Sequence, residues 1–161
     1  MSPSLTAVPA HSSEKLASIG AAILSAAVGM QPSATRPSAQ KVRRLNCEVL
    51  SMLAFGGSKQ GTFILGTSVA LAKRLCGNML VLADDDIGID ELADGVGEML
   101  NMLGGNYKND WLAPGHSLDL TVPTTMFGQV GLTSMRRASE IHAVEFQIDG
   151  EALMFGLIVY G

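Results

Sequence analysis

The sequence predicts an α+β domain in which an antiparallel-rich sheet carries two long helices on one face. Three observations predict this fold. Two long segments have apolar residues at helical spacing, several short segments alternate apolar and polar residues, and turn-forming residues separate the short segments. Strands joined by short turns pair antiparallel. The domain should span residues 13–161, after a flexible Ser-, Pro- and Ala-rich tail at residues 1–12.

The first predicted helix covers residues 13–29, with Ser13 as its N-cap and Gly29 near its end. Its apolar residues recur at steps of three and four, as an amphipathic helix requires: Leu16, Ile19, Ile23 and Ala27. Residues 31–40 contain two prolines and little apolar content, so they predict a loop.

A strand is predicted from Arg44 to Phe55, because its apolar residues alternate. The turn Gly56-Gly57-Ser58-Lys59 leads into the apolar segment Thr62 to Gly66, which indicates a hairpin. A short helix should follow from Val69 to Cys76, ended by Gly77-Asn78.

The longest predicted helix runs from Ile89 to Trp111. The remaining sequence has four alternating stretches that fit three or four strands: Ser117 to Val122, Met126 to Leu132, Ile141 to Asp149 and Ala152 to Tyr160. Asp149-Gly150 is a favourable hairpin turn between the last two of these stretches.

The composition limits the kinds of partner that the chain can bind. Its 161 residues suffice for one sizeable core, and 47% hydrophobic against 16% charged residues excludes a disordered protein. A net charge of −4 argues against nucleic acid and anionic membranes, which both need clustered cations. Two cysteines, Cys47 and Cys76, are too few for a disulfide framework and fit buried thiols in a reducing compartment.

No targeting or membrane-spanning segment is predicted. Residues 1–13 lack the cationic start and continuous apolar stretch of a signal peptide. The apolar segment Leu16 to Met30 is interrupted by serines and glycines and is shorter than the roughly 20 apolar residues that cross a bilayer. We therefore expect a cytoplasmic protein that does not insert into membranes.

Metal and nucleophile signals are weak throughout the sequence. The acidic run Asp84-Asp85-Asp86 does not start an EF-hand, because the twelfth position of that loop would be Gly95 in place of a bidentate Glu. Three scattered histidines (His11, His116 and His142, the last predicted at the surface) and no Cys-x-x-Cys make a zinc site improbable. No serine or cysteine has a recognisable nucleophile context.

The long helix has two distinct faces. At about 100° per residue, one face carries the apolar residues Leu92, Val96, Met99 and Leu103. The opposite face carries the polar residues and a glycine: Glu91, Asp94, Glu98, Asn101 and Gly105. Glu98 and Asn101 are three residues apart and therefore adjacent on the helix surface.

A polar face alone is ordinary, but Asn101 and the glycines of this helix are not good for helix stability. Asparagine competes with the backbone for hydrogen bonds. Glycines at positions 95, 97, 104 and 105 each cost up to about 1 kcal/mol relative to alanine. Either close packing on the sheet or room for a partner beside the pair would offset these costs.

The segment Gly97-Glu98-Met99-Leu100-Asn101-Met102-Leu103-Gly104-Gly105-Asn106 resembles the Gly-Glu-x-x-Asn-Met-x-x-Gly-Asn core of the CheX chemotaxis phosphatases, relatives of CheC and FliY. The resemblance extends upstream to the hairpin with Gly61 and the following helix. Downstream it includes the strand from Leu118 to Pro123 and the later Gly128. It covers about residues 14–160.

The resemblance implies a CheC/CheX-like fold and a catalytic role for Glu98 and Asn101. In that family the two side chains enter the active site of a phosphorylated, CheY-like response regulator. Asn101 would orient a water in line with the aspartyl phosphate, and Glu98 would pair with a lysine of the regulator. The protein would need no cofactor of its own, because the Mg²⁺ ion belongs to the partner receiver domain.

The resemblance also implies one site per chain and a homodimer. CheC-type members carry two Glu-x-x-Asn helices, whereas the N-terminal helix here has Glu14-Lys15-Leu16-Ala17, with Ala17 in the asparagine position. One site fits the CheX branch.

Two other functions fit the same residues. The Glu98 and Asn101 face could dock on a receiver or a flagellar-switch protein without catalysis. A small-molecule sensor could use the nine methionines, although flexible core filling explains them better.

Overall fold

Seven strands form one antiparallel sheet in the computed structural model, which describes residues 12–42, 45–111, 117–131 and 138–161. The strands are β1 (Ala34–Pro37), β2 (Asn46–Gly57), β3 (Gln60–Thr67), β4 (Leu118–Leu120), β5 (Thr124–Gly131), β6 (Ala138–Ile148) and β7 (Glu151–Tyr160). The helices are α1 (Ser12–Ile23), α2 (Ala39–Val42), α3 (Val69–Leu80) and α4 (Ile89–Trp111). The predicted α+β class with an antiparallel sheet is confirmed.

The sheet has the order β1-β6-β7-β3-β2-β4, with β5 beside β2 as well. Every strand pair in the described residues is antiparallel. Both predicted hairpins are present. Asp149 and Gly150 connect β6 to β7 with φ angles of 51° and 80°, the left-handed conformation that a two-residue hairpin turn needs.

Strands β4 and β5 lie end to end along the same edge of β2. Strand β4 pairs with residues 55–57 of β2 and β5 pairs with residues 46–52. Residues 121–123 interrupt the pairing between them, and Thr121 bridges the gap by donating its N–H to the Ala54 carbonyl at 2.9 Å. The two strands therefore follow β2 as one edge with a short break.

Three helices pack on one face of the sheet. The core between them combines residues of α1, α3 and α4 with the inward-facing residues of the strands, and its central members are Leu16, Leu24, Leu75, Val96, Leu103, Leu53, Phe63, Leu65, Phe146 and Phe155. Helix α1 continues into a five-residue π-helical turn and ends at Gly29, which has the left-handed φ of 70°. The predicted end of the first helix is therefore confirmed.

The opposite face of the sheet carries a smaller buried cluster that the sequence analysis did not identify. It consists of residues from α2 and four strands: Val42, Leu50, Ile64, Ala143, Met154 and Ile158. The central strands thus have apolar residues on both faces.

The predicted loop at residues 31–40 is wrong in part. Strand β1 lies within it and pairs with β6, more than 100 residues later in the chain, where local patterns give no signal. Pro37 is tolerated there because β1 is an edge strand. Arg36 of β1 forms an ion pair of 2.6 Å with Glu145, which is buried in β6.

The predicted end of the short helix that begins at Val69 is also wrong. Helix α3 continues through Gly77 and Asn78 to Leu80. Gly77 does not end the helix. It makes room for the returning chain, since a Cβ at this position would lie 2.8 Å from the Leu82 carbonyl oxygen. The left-handed residue after the helix is Val81, with φ of 56°.

The remaining predictions about single residues concern Ser12, His142 and several residues outside the described ranges. Ser12, assigned by prediction to the tail, already lies in α1, so Ser13 does not cap that helix. His142 of β6 is partly exposed, in keeping with the predicted surface position, and its Nε2 lies 3.0 Å from a Glu140 carboxylate oxygen. Some predictions fall outside the described residues. These concern Leu132 at the end of a predicted strand, His116, and residues 1–11 of the predicted tail, which include His11.

No helix among the described residues is long and apolar enough to cross a bilayer.

Candidate functional site

Helix α4 carries the candidate site and is anchored at its C-terminal end by aromatic packing. Tyr107 and Trp111 form edge-to-face contacts with Phe63 and Phe55 of the sheet, at ring-centroid distances of 5.6 and 5.7 Å. The buried Tyr107 hydroxyl donates a 2.8 Å hydrogen bond to Ser12 of α1. Burial raises the pKa of Tyr107 to about 12, so this hydroxyl stays protonated as a donor. The helix is therefore held by both the sheet and α1.

The two faces of α4 lie as their angular positions predicted. Leu92, Val96, Met99 and Leu103 are buried in the core. On the other face Asp94, Glu98 and Asn101 are exposed, whereas Glu91 and Gly105 are partly exposed. The structure therefore presents Glu98 and Asn101 side by side at the surface of a rigidly packed helix.

Neither side chain of the pair makes a polar contact with the described part of the chain. Among the residues that the structure describes, Glu98 and Asn101 form no side-chain hydrogen bond or ion pair. The pair is thus free to bind a partner.

The four glycines of α4 have different surroundings. A Cβ at Gly95 would lie 2.5 Å from the Cys76 sulfur, and one at Gly104 would lie 2.8 Å from a Leu53 methyl carbon. These two glycines allow α3 and the sheet to approach closely. At Gly97 a Cβ would make an ordinary contact with Pro123 at 3.5 Å, and at Gly105 it would meet nothing within 4 Å. Internal packing therefore does not explain Gly105.

Different elements flank the two sides of the pair. Gly95, which contacts α3, lies three residues before Glu98 and on its side of the helix. Gly97, which contacts the segment between β4 and β5, lies four residues before Asn101. Glu98 therefore faces towards α3, and Asn101 faces towards the β4–β5 connection.

The described residues near the pair include a buried thiol and an acidic turn, neither of which forms a reactive site. Burial raises the pKa of the Cys76 thiol to about 11, so the thiol remains protonated at neutral pH. Asp84, Asp85 and Asp86 are exposed in a single 3-10 turn. Within the described ranges, no three His, Cys, Asp or Glu side chains are arranged to hold a metal ion. The groups that the site itself offers are one carboxylate and one amide.

Comparison with known proteins assigns the family. The family model described as chemotaxis phosphatase CheX matches residues 49–147, which run from within β2 to the penultimate residue of β6 and include the whole of α4. The chain belongs to the CheX family. No curated protein is significantly similar to the chain in sequence.

Solved structures with the same fold include other CheX proteins. CheX from Desulfovibrio desulfuricans is 20% identical with a TM-score of 0.77, over 91% of this chain and 97% of that chain. A chemotaxis protein described as putative from Desulfovibrio vulgaris is 22% identical with a TM-score of 0.74, over 95% and 99%. The CheX–CheY–BeF3–Mg²⁺ complex from Borrelia burgdorferi matches at 19% identity with a TM-score of 0.73, over 92% and 97%. At these identities the structures show that the CheX fold extends over nearly the whole chain.

Two surface features beside Glu98 and Asn101 leave no signal in the local sequence. One is the open space above Gly105, which only the packing of α4 reveals. The other is Val122, which is 84% exposed next to the α4 contact of Pro123. The sequence assigned Val122 to a strand, where alternation gave no sign that its side chain would face solvent.

Proposed function

We propose that this CheX-family protein hydrolyses the aspartyl phosphate of a CheY-like response-regulator receiver domain. The observation that carries the proposal is the exposed, unpaired Glu98 and Asn101 on a helix that is fixed by its packing. The Borrelia burgdorferi relative, crystallised with CheY, supports a receiver as the partner.

Asn101 has the chemistry to position the attacking water. Its amide oxygen can accept a hydrogen bond from water while its NH₂ group donates to a phosphoryl oxygen. The water oxygen attacks phosphorus, the bond between phosphorus and the aspartyl oxygen breaks, and inorganic phosphate and a free carboxylate result. An acyl phosphate is already reactive, so orientation of the water supplies much of the required acceleration.

Glu98 has the chemistry to pair with a cation of the receiver. It is exposed and has no cation partner among the described residues. In the proposed complex it binds a lysine near the phosphoaspartate, which orients the helix over the receiver's active site. The Mg²⁺ ion belongs to the receiver in this proposal, and the chain supplies no cofactor.

Phosphate release from a phosphorylated receiver tests the proposal. The protein and its Asn101→Ala variant are compared with receiver alone, using the CheY-type receivers of its own organism phosphorylated by acetyl phosphate. We expect the variant to lose about 100-fold or more in turnover, because the lost interaction acts mainly in the transition state. Its affinity for the beryllofluoride–Mg²⁺ form of the receiver should remain within about threefold of the original.

Two results would contradict this proposal. Full activity of Asn101→Ala would show that the pair is not the site. A protein that binds the beryllofluoride receiver but never accelerates phosphate release would support a docking module without catalysis.

We also propose that the protein acts as a cytoplasmic homodimer, as the family resemblance implies. Sedimentation equilibrium of the purified chain at micromolar concentration would give twice the monomer mass if the dimer forms.

A further inference from the structure

The connection between β4 and β5 presents a single exposed apolar side chain on a fixed backbone. Thr121 is bound twice to Ala54 of β2: its N–H donates to the carbonyl at 2.9 Å, and its hydroxyl accepts from the Ala54 N–H at 3.1 Å. Pro123 contacts α4 at Gly97. Val122 lies between these two attachments and is 84% exposed.

The position of Val122 relative to Asn101 follows from the contacts on either side. Leu120 lies 3.5 Å from the Cβ position of Gly104, and Pro123 lies 3.5 Å from that of Gly97. Seven helical residues rise about 10 Å, which an extended chain spans in about three residues. The segment therefore runs antiparallel to α4 from Gly104 to Gly97, and Val122 lies beside the helical turn that contains Asn101.

We propose that Val122 is an apolar contact for the receiver, beside the pocket that holds its phosphoaspartate. This inference rests on the proposed function, because it takes the receiver as the occupant of the surface over Asn101. A receiver close enough to place its phosphoryl group at Asn101 also covers the neighbouring Val122. The contact requires an aliphatic patch on the receiver beside its phosphoaspartate.

The fixed backbone distinguishes Val122 from an incidental exposed valine. Single apolar side chains are common on protein surfaces and need no explanation. Here the two hydrogen bonds of Thr121 and the fixed φ of Pro123 order the segment before any partner binds. Binding would therefore cost less conformational entropy in this segment than the ordering of a mobile loop would.

Val122→Ser tests the contact, with Val81→Ser as the matched control. Val81 is 90% exposed in the connection between α3 and α4, so the control removes an equally accessible valine from another element. We expect Val122→Ser to weaken binding of the beryllofluoride–Mg²⁺ receiver about five- to tenfold. Turnover at saturating phosphorylated receiver and the melting temperature should change little. Val122→Ile should bind within about twofold of the original, and so should Val81→Ser.

Failures of this inference and of the proposed function are distinguishable. If the protein dephosphorylates the receiver and Val122→Ser binds it with unchanged affinity, the contact is absent although the function stands. Equal weakening by Val81→Ser, or a loss of turnover without a loss of affinity, would also overturn the contact. A protein that binds the receiver without hydrolysis can still show the Val122 effect, and only the catalytic proposal then fails. A protein that binds no beryllofluoride receiver contradicts both.

Discussion

Glu98 and Asn101 differ in what each can contribute to a phosphatase reaction. The amide of Asn101 is neutral and acts at short range by accepting and donating hydrogen bonds, whereas the carboxylate of Glu98 acts at longer range through its charge. Both are exposed, so substituting either one should change the free energy of unfolding by no more than about 0.5 kcal/mol. Functional effects of the two substitutions can therefore be interpreted without a correction for misfolding.

Glu98→Ala should weaken association with the receiver in a salt-dependent way. At about 0.02 M salt we expect the affinity for the beryllofluoride receiver to fall about tenfold, because an exposed charge pair is then poorly screened. At about 0.5 M salt the difference between the two proteins should shrink to about twofold or less. Binding titrations at several salt concentrations measure the effect.

Asp94→Ala is the matched control for this prediction. It removes the same charge from the same exposed face, one helical turn earlier. A specific ion pair at Glu98 predicts a clearly smaller effect for Asp94→Ala. Equal effects of the two variants would show that only the net negative charge of the helix matters.

Two glycines of α4, Gly95 and Gly104, are required by close internal packing, whereas Gly105 is not. Gly95 lies against a buried cysteine of α3, in a contact where the Cβ of alanine would be 2.5 Å from the sulfur and 3.1 Å from the Cys76 Cβ. Gly105 faces open space on the same helix. The two positions therefore separate the two explanations that the sequence leaves open, close internal packing and room for a partner.

Alanine at these two positions should change stability in opposite directions. Gly95→Ala should lower the free energy of unfolding by about 1–2 kcal/mol, because overpacking costs more than helix propensity returns. Gly105→Ala should raise it by about 0.5–1 kcal/mol, because nothing opposes the better helix former. Chemical denaturation measures both.

Measurements of affinity for the beryllofluoride receiver then show whether a partner uses the open space at Gly105. If the receiver approaches α4 closely at this point, Gly105→Ala should lower affinity while raising stability, and Gly105→Leu should lower affinity further. A merely structural glycine would not give these opposite changes. Unchanged affinity in both variants would show that the space above Gly105 is not used.

At the scale of the whole molecule, a polar network joins α3 to the β6–β7 turn. Ser68 caps α3 by accepting the Leu71 N–H at 3.1 Å, and its hydroxyl donates to Glu151 at 2.6 Å. Arg74 forms an ion pair with the same carboxylate. The Ser68 hydrogen bond, followed by Arg74, holds the pKa of Glu151 below its ordinary value.

This network predicts a contribution to stability that acid removes. Since the pKa of Glu151 is lower in the folded than in the unfolded protein, the contribution is complete above the ordinary value of 4.5. It is lost as the pH falls below that value and through the lowered pKa. The stability difference between the protein and Glu151→Gln should therefore shrink from pH 6 to pH 3. Denaturation at each pH measures it, and Asp94→Asn is a control that lacks such partners.

If the stability difference between the protein and Glu151→Gln stayed constant from pH 6 to pH 3, the charge of Glu151 would not have this stabilising role. Such a result would mean that the glutamine keeps the hydrogen bond and that the charge of Glu151 contributes nothing to folding.

Much of the fold was predictable because it depends on local patterns. The bounds of α4, the two hairpin turns and the alternating strands follow from periodicity and turn residues, which are properties of short segments. The exposure of Glu98 and Asn101 follows from the same periodicity, since the apolar face of a helix must be buried. Their catalytic role stays a prediction from family resemblance.

The two main errors of prediction have different causes. Strand β1 exists because β6 provides a partner more than 100 residues away, which leaves no mark in the neighbouring sequence. The glycine at position 77 is predicted to end a helix, but it lies within α3 and makes room for the chain that turns back at Leu82.

The sequence by itself determined most of the element types. It also determined the two faces of α4 and the adjacency of Glu98 and Asn101, because helical geometry fixes the relation between residues three apart. Only the tertiary structure decided which glycines are packed and which is open, and that the connection carrying the exposed Val122 contacts α4 through Pro123. These facts depend on how α3 and the β4–β5 edge pack against α4. Such packing joins residues that are distant in the chain, so no local period encodes it.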